Sequence, residues 1–219
     1  MDMETIVKPL RALEAPGDWD DIDAVEAAAR KTFSALAEAP AVIGTALDSL
    51  PQAPELLALC EHYDILDKIV LHDDPAGFRV RLHVFLPGYF DRPHNHRWSY
   101  ASTILRGSYR HCLFGNAELD EDIKPGSLDA IMVRQETAGS TYALHHSMVH
   151  AVGAEPHTVT LVIRGPAVKD RFLVMDRYTG EAWWQYGTAK ETAADAATKR
   201  MSADRFRELR GQLNGWGLF

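Results

Sequence analysis

The sequence predicts a mainly β barrel or sandwich with helical segments packed at both ends. Three observations carry this expectation. From Lys68 the apolar pattern takes a period of two and keeps it to about Tyr186. The stretches with that period are short, and Gly, Pro and Asp residues cut them at regular intervals, as in antiparallel β structure. Before Lys68 and after Thr188 the period is three to four, that of helices lying on a surface. The expected division is a helical extension over 1–66, a barrel over 67–187 and a helical tail over 188–219.

In chain order, the first seventeen residues read as a mobile or loosely docked arm. A helix is expected from about Asp18, because Ile22, Val25, Ala29, Phe33 and Leu36 form one apolar stripe. Asp18, Asp20 and Asp21 favour the positive end of its dipole, and Pro40 ends it. A second helix is expected over about Val42 to Leu50, stopped by Pro51. A third is expected from Pro54 to Tyr63, burying Leu56, Leu57 and Cys60. KIVLH and GFRVRLHVFLPG then form two strands around the turn at Asp73 to Gly77. In the second strand Val80, Leu82, Val84 and Leu86 take one face, and Arg79, Arg81, His83 and Phe85 the other. WSYASTILRG and SYRHCLFG follow, joined at Gly107, and Glu118 to Gly126 reads as an acidic surface loop. Further strands are expected near 130–135, 141–144, 149–152, 158–164, 171–175 and 181–186. In the tail Ser202 is placed as an N-cap, with Phe206, Leu209 and Leu213 on the buried side.

Composition narrows the function classes. A net charge of −8 argues against nucleic acid and anionic membranes as partners. No apolar run reaches the length of a membrane span, and the N-terminus lacks the apolar block of a secretory signal. The two cysteines, Cys60 and Cys112, fit no metal or redox motif; reduced thiols in the cytoplasm are expected, with a disulfide between them left open.

The chemistry concentrates in Gly88 to Gly107. His94 and His96 lie two apart, so on extended backbone both imidazoles project to one side. Imidazole suits iron, copper, nickel and zinc. Outward from this pair, Gly88 precedes His94 by five intervening residues, Tyr100 follows His96 after three, and Gly107 follows after six more. Later, Gly139, five residues, His145, one residue, Ser147, two residues and His150 follow one another.

That order and spacing resemble the two motifs of the cupin family. Tyr100 stands where the family usually has glutamate, and His145 and Ser147 replace its Pro and Gly. His150 takes the slot of the third histidine, and Ala154 that of an asparagine. The resemblance runs from Lys68 to about Tyr186 and implies a double-stranded β-helix, the jelly-roll barrel, with helices packed outside. Within the cupins the chain is most similar to the cysteine dioxygenase group of non-haem iron enzymes. That group also lacks the glutamate, holds Fe(II) with three histidines and carries N-terminal helices. The resemblance makes His94, His96 and His150 the ligands of Fe(II), with Mn, Ni or Zn as alternatives. Three neutral imidazoles on one side of the ion leave positions for a small anionic substrate and O2 side by side.

On the strand after the third histidine that group carries Ser, His and Tyr; here the comparable positions are Thr160, Val162 and Arg164. The crosslinking cysteine of some members would fall near Ala101, so no crosslink is expected. Arg164 is a candidate for holding a substrate carboxylate, because a guanidinium forks onto two oxygens; the alternative is a solvated charge at the strand end. Arg81 and His83 share a face; they line the barrel mouth as further substrate-binding candidates, or they face outward. Tyr100 shares parity with the histidine pair, either as a catalytic hydrogen-bonding group or as a core aromatic. His145 and His146 compete with His150, but only His150 sits correctly after Ser147, and adjacency should send the other two to opposite faces. Trp98 is expected in the core or pocket wall. The functional expectation is an iron-dependent oxygenase acting on a small thiol- or carboxylate-bearing molecule. A non-redox metal-dependent lyase or isomerase and a metal-free binding protein are the alternatives. Barrels of this size often pair, but the sequence does not fix the oligomeric state, and a homodimer is left open.

Overall fold

The structure is a computed structural model that describes residues 16–88, 91–115, 123, 127–187 and 190–219. The expected arm lies almost wholly outside the described residues, as does most of the expected acidic loop.

Helix α1 spans Ile22–Glu38. It begins four residues later than the acids suggest. The Asp18 carboxylate is taken up by the Asp20 N–H, and Asp21 is the cap, accepting from the Ala24 N–H at 3.0 Å. Helix α2 (Ala41–Ser49) runs into a 3-10 turn at Leu50–Gln52, and α3 covers only Pro54–Leu57. The third helix stops short because Glu61 and His62 form strand β1 and pair with Lys68 and Asp67. Cys60, facing the core as expected, accepts from the Val70 N–H through its sulfur.

The strands are β2 (Leu66–Asp73), β3 (Arg79–Phe85), β4 (Tyr100–Arg106), β5 (Ser108–Gly115) and β6 (Met132–Thr137). They continue as β7 (Thr141–Leu144), β8 (Val149–Ala154), β9 (Val159–Arg164), β10 (Arg171–Met175) and β11 (Ala182–Tyr186). One antiparallel sheet has the order β1-β2-β3-β9-β4-β7. Facing it are β6-β5-β8 and the hairpin β10-β11. His94 bridges these two pieces, pairing with His150 of β8 on one side and Val174 of β10 on the other. The result is the mainly β, jelly-roll barrel that the cupin resemblance implies. Helices α4 (Ala193–Lys199) and α5 (Ala203–Gly215) close the chain. Ser202 caps α5 by accepting from the Arg205 N–H at 3.0 Å.

The period-two pattern explains why the six-stranded sheet is buried on both sides. Val80, Leu82, Val84, Leu161 and Ile163 point outward under the helices and meet Val25, Phe33, Leu47, Leu209 and Leu213. Each such aliphatic side chain contributes about 1.5–3 kcal/mol by leaving water. The alternate residues point inward, where Phe85, Trp98, Tyr100, Tyr109, Tyr142 and Val162 form a second, aromatic core. Gly107 makes the tight β4–β5 turn at φ 77°, and a Cβ there would sit 2.4 Å from the Thr158 hydroxyl. That hydroxyl accepts the Ser108 N–H at 3.1 Å, so a side chain at Gly107 would break the turn. Both cysteines are buried and free; burial pushes the Cys60 thiol up to about 11. Among the described residues, no helix is long and apolar enough to cross a membrane.

Candidate metal centre

Three imidazoles far apart in the chain meet inside the barrel. His94 and His96 sit on an extended segment before β4, not on a regular strand, but their alternation has the expected effect. Their rings point to one side, with centroids 4.8 Å apart. His150 arrives from β8, locked to His94 by a reciprocal pair of backbone hydrogen bonds, each 2.9 Å. Its Nε2 lies 2.8 Å from His96 Nε2, and one ligand atom from each of the three rings falls within 4.8 Å of the others. Two nitrogens bonded to one ion at right angles, with bonds of about 2.1 Å, would stand about 3 Å apart.

The far nitrogens of the rings are also suited to a metal. His94 Nδ1–H donates to the Arg92 carbonyl at 2.8 Å, which leaves Nε2 with its lone pair. His150 Nδ1 lies 2.9 Å from His111 Nε2, and His111 Nδ1 lies 3.4 Å from Glu136 Oε1. With His150 Nε2 on an ion, its Nδ1–H donates to His111, and the Nδ1–H of His111 donates to the Glu136 carboxylate. The chain thus ends on an anion, and Arg134 anchors that anion at 2.7 Å. Burial holds all four rings neutral at pH 7. It lowers His94 to about 4 and His111 to about 3, and places His96 and His150 well below the ordinary range. A neutral, oriented imidazole set, half-buried at His94 and His96 and buried at His150, is what a metal ligand set requires, so these residues fit an ion.

Motif spacing alone does not single out His111 or Glu136. Their signal was nonetheless present. On SYRHCLFG, His111 shares the inward face with Tyr109 and Leu113, and a polar group there needs a partner. His111→Phe is expected to weaken metal affinity about 10–100-fold by freeing His150 to rotate. Metal competition against a chelator checks this, and His111→Gln, which keeps an acceptor, should recover part of the loss.

The other site residues fall around one cavity of about 820 Å³. Tyr100 is buried, and its hydroxyl lies 3.3 Å from His150 Nε2. Burial first, then Tyr142, raises its pKa well above the ordinary value, so it is a neutral phenol. Trp98 is both core and wall; it stacks on His96 at 4.7 Å. Arg81, His83 and Arg164 all line the cavity, because they belong to the inward faces of β3 and β9. The two guanidiniums lie over the Trp98 ring, at 5.5 Å for Arg81 and 5.8 Å for Arg164. Arg164 donates to the carbonyls of Gly77 and Gly165, at 2.6 and 2.8 Å. Nε of each arginine, and Nε2 of His83, is buried without a hydrogen-bond partner. Burial, followed by neighbouring Arg81 and Arg79, pushes Arg164 down to about 8. Burial also pushes Arg81 to about 10, although Glu61 opposes it. Lys68 enters the same wall, paired with Glu61 at 3.4 Å. Thr160 and Val162 line the cavity where the resemblance placed them.

Against the expectation from adjacency, His145 and His146 do not point to opposite faces. They lie at the turn between β7 and β8, where strand alternation does not hold, and their rings sit side by side at 4.0 Å.

No protein-family model matches the chain, and no curated protein matches it in sequence. Among solved structures it is similar to KdgF from Halomonas sp., at a TM-score of 0.37 and 16% identity over 48% of this chain and 82% of that one. An RmlC-like cupin from Shewanella frigidimarina gives 0.37 and 15% over 50% and 85%. The DMSP lyase DddQ from Ruegeria pomeroyi gives 0.38 and 13% over 50% and 51%. None of these likenesses assigns a reaction to this chain.

Proposed function

We propose that this protein is a mononuclear Fe(II) oxygenase that combines O2 with a small anionic substrate. The observation that supports it most is the pairing of a neutral three-imidazole cluster with a wall of buried cations in one cavity. An ion held by His94, His96 and His150 would supply open positions at which substrate and O2 meet. The chain's own residues do the rest. Arg164 and Arg81 receive a carboxylate, whose charge offsets two guanidiniums that are otherwise poorly compensated. Trp98 gives the substrate an apolar wall and excludes water. Tyr100, kept neutral, donates its O–H to an oxygen atom beside His150. Three neutral ligands leave the ion's charge uncompensated, which favours an anionic group, thiolate or carboxylate, on the substrate.

The reading is tested by metal analysis of anaerobically purified protein, followed by an O2-uptake screen over thiols and carboxylic acids. Stoichiometric iron and substrate-dependent O2 consumption are expected. Turnover that persists without O2 would move the protein to the non-redox lyases and isomerases. Absence of any stoichiometric metal after growth with added iron would leave a binding protein. For an active substrate, Arg164→Gln and Arg81→Gln should each raise KM at least tenfold and lower kcat less, the pattern of lost substrate binding. Unchanged KM in both variants would remove the carboxylate role.

A further inference from the structure

Asp20, His145 and His146 form a second cluster outside the barrel. His145 Nε2 stands 3.4 Å and His146 Nε2 3.6 Å from the same Asp20 carboxylate oxygen, and the three ligand atoms lie within 4.8 Å of one another. Both distances are longer than a good hydrogen bond. The first equals the edge of a tetrahedron around an ion with bonds of about 2.0–2.1 Å, which is about 3.3–3.4 Å, and the second is slightly longer. Two imidazoles and one carboxylate suit a borderline divalent ion, zinc foremost, with the fourth position left to water.

The surroundings prepare the two rings. His145 Nδ1 lies 2.7 Å from the Ser147 hydroxyl, so Nδ1–H can donate there and leave Nε2 as ligand. The Ser147 N–H also points at that nitrogen, at 3.2 Å, so loading the site exchanges one hydrogen bond for the other. His146 Nδ1 is buried without a partner, and Nε2 is the nitrogen turned toward Asp20. Backbone contacts hold the turn itself: the His146 N–H donates to the Ser99 hydroxyl at 3.1 Å, and the His146 carbonyl accepts the His96 N–H at 3.2 Å.

We propose that Asp20, His145 and His146 bind a second divalent transition metal ion, of the zinc class, that ties the start of α1 to the β7–β8 turn. The ion adds to the side-chain link between α1 and β7 from Arg30 to the Thr141 carbonyl, at 3.3 Å. It also stiffens the turn whose carbonyl positions His96. This site does not depend on the oxygenase reading, because it shares no ligand with the first centre.

Equilibrium dialysis of the full chain against Zn(II) separates the two sites. Wild type is expected to bind two equivalents, and Asp20→Ala and His146→Ala one each. In a His150→Ala background, which lacks the first centre, one equivalent should remain, and adding Asp20→Ala should weaken it at least tenfold. Circular dichroism identifies any variant that fails to fold, and the milder Asp20→Asn and His146→Gln then replace it. Any number of equivalents on wild type that the Asp20→Ala/His146→Ala double variant retains in full overturns the second site. Loss of the first equivalent in the His150→Ala protein leaves the second-site result readable on its own.

Discussion

His150→Ala is expected to lose stoichiometric iron and, with it, O2 consumption, while the barrel stays folded. The side chain is one of three ligands, so its removal should cost at least about a hundredfold in metal affinity, beyond what loss of an outer partner costs. The fold should survive because the tie between β8 and the His94 segment is made by backbone, two bonds of 2.9 Å that alanine keeps. A secondary loss of about 1–3 kcal/mol is expected, since His111 Nε2 is left buried without its partner. His94→Ala should behave alike toward metal. Elemental analysis beside far-ultraviolet circular dichroism checks both; full iron content in the two variants would remove the three-histidine centre.

The metal-free protein is expected to lose stability steeply between pH 6.5 and pH 4. Burial lowers His94 to about 4 and His111 to about 3, and puts His96 and His150 well below the ordinary 6.5. In the unfolded chain all four titrate near 6.5. Across that window the unfolded state therefore binds more protons than the folded one, and stability rises with pH. The contribution is complete above about 6.5 and is lost as pH falls toward the folded values. One pKa unit is about 1.4 kcal/mol, so even part of these shifts amounts to several kcal/mol, comparable with the whole stability of a domain. Bound metal opposes the loss, because protons must displace the ion from the same nitrogens. Urea midpoints of apo and iron-loaded protein at pH 7 and pH 5 test this. A large drop is expected for the apo form and a smaller one for the loaded form. Equal midpoints at the two pH values would contradict the burial of these rings.

Much of this was legible in the chain. The switch of period at Lys68 marks the sheet, and the alternation in β3 separates Val80, Leu82 and Val84 from Arg81 and His83. The spacing of His94, His96 and His150 puts the three rings in one place. What was not legible depends on contacts between distant segments. Helix α3 is shortened because β2 claims Glu61 and His62 for pairing. His145 and His146 share a side because they sit at a turn, where the two-residue rule fails. His111 and Glu136 act through His150, a partner 39 residues from His111, and only the register of β5 against β6 and β8 brings them to it. The arginines were readable as a face, but whether that face met water or a cavity was decided by the opposing sheet.

The most direct test of the centre is X-ray absorption at the iron edge. The protein would be loaded anaerobically with less than one equivalent of Fe(II), in an Asp20→Asn background so that the surface cluster does not compete. Three imidazole nitrogens at about 2.1 Å are expected, with the remaining positions filled by oxygen donors. A shell with fewer than two imidazoles, or one dominated by sulfur, would show that His94, His96 and His150 do not hold the ion together.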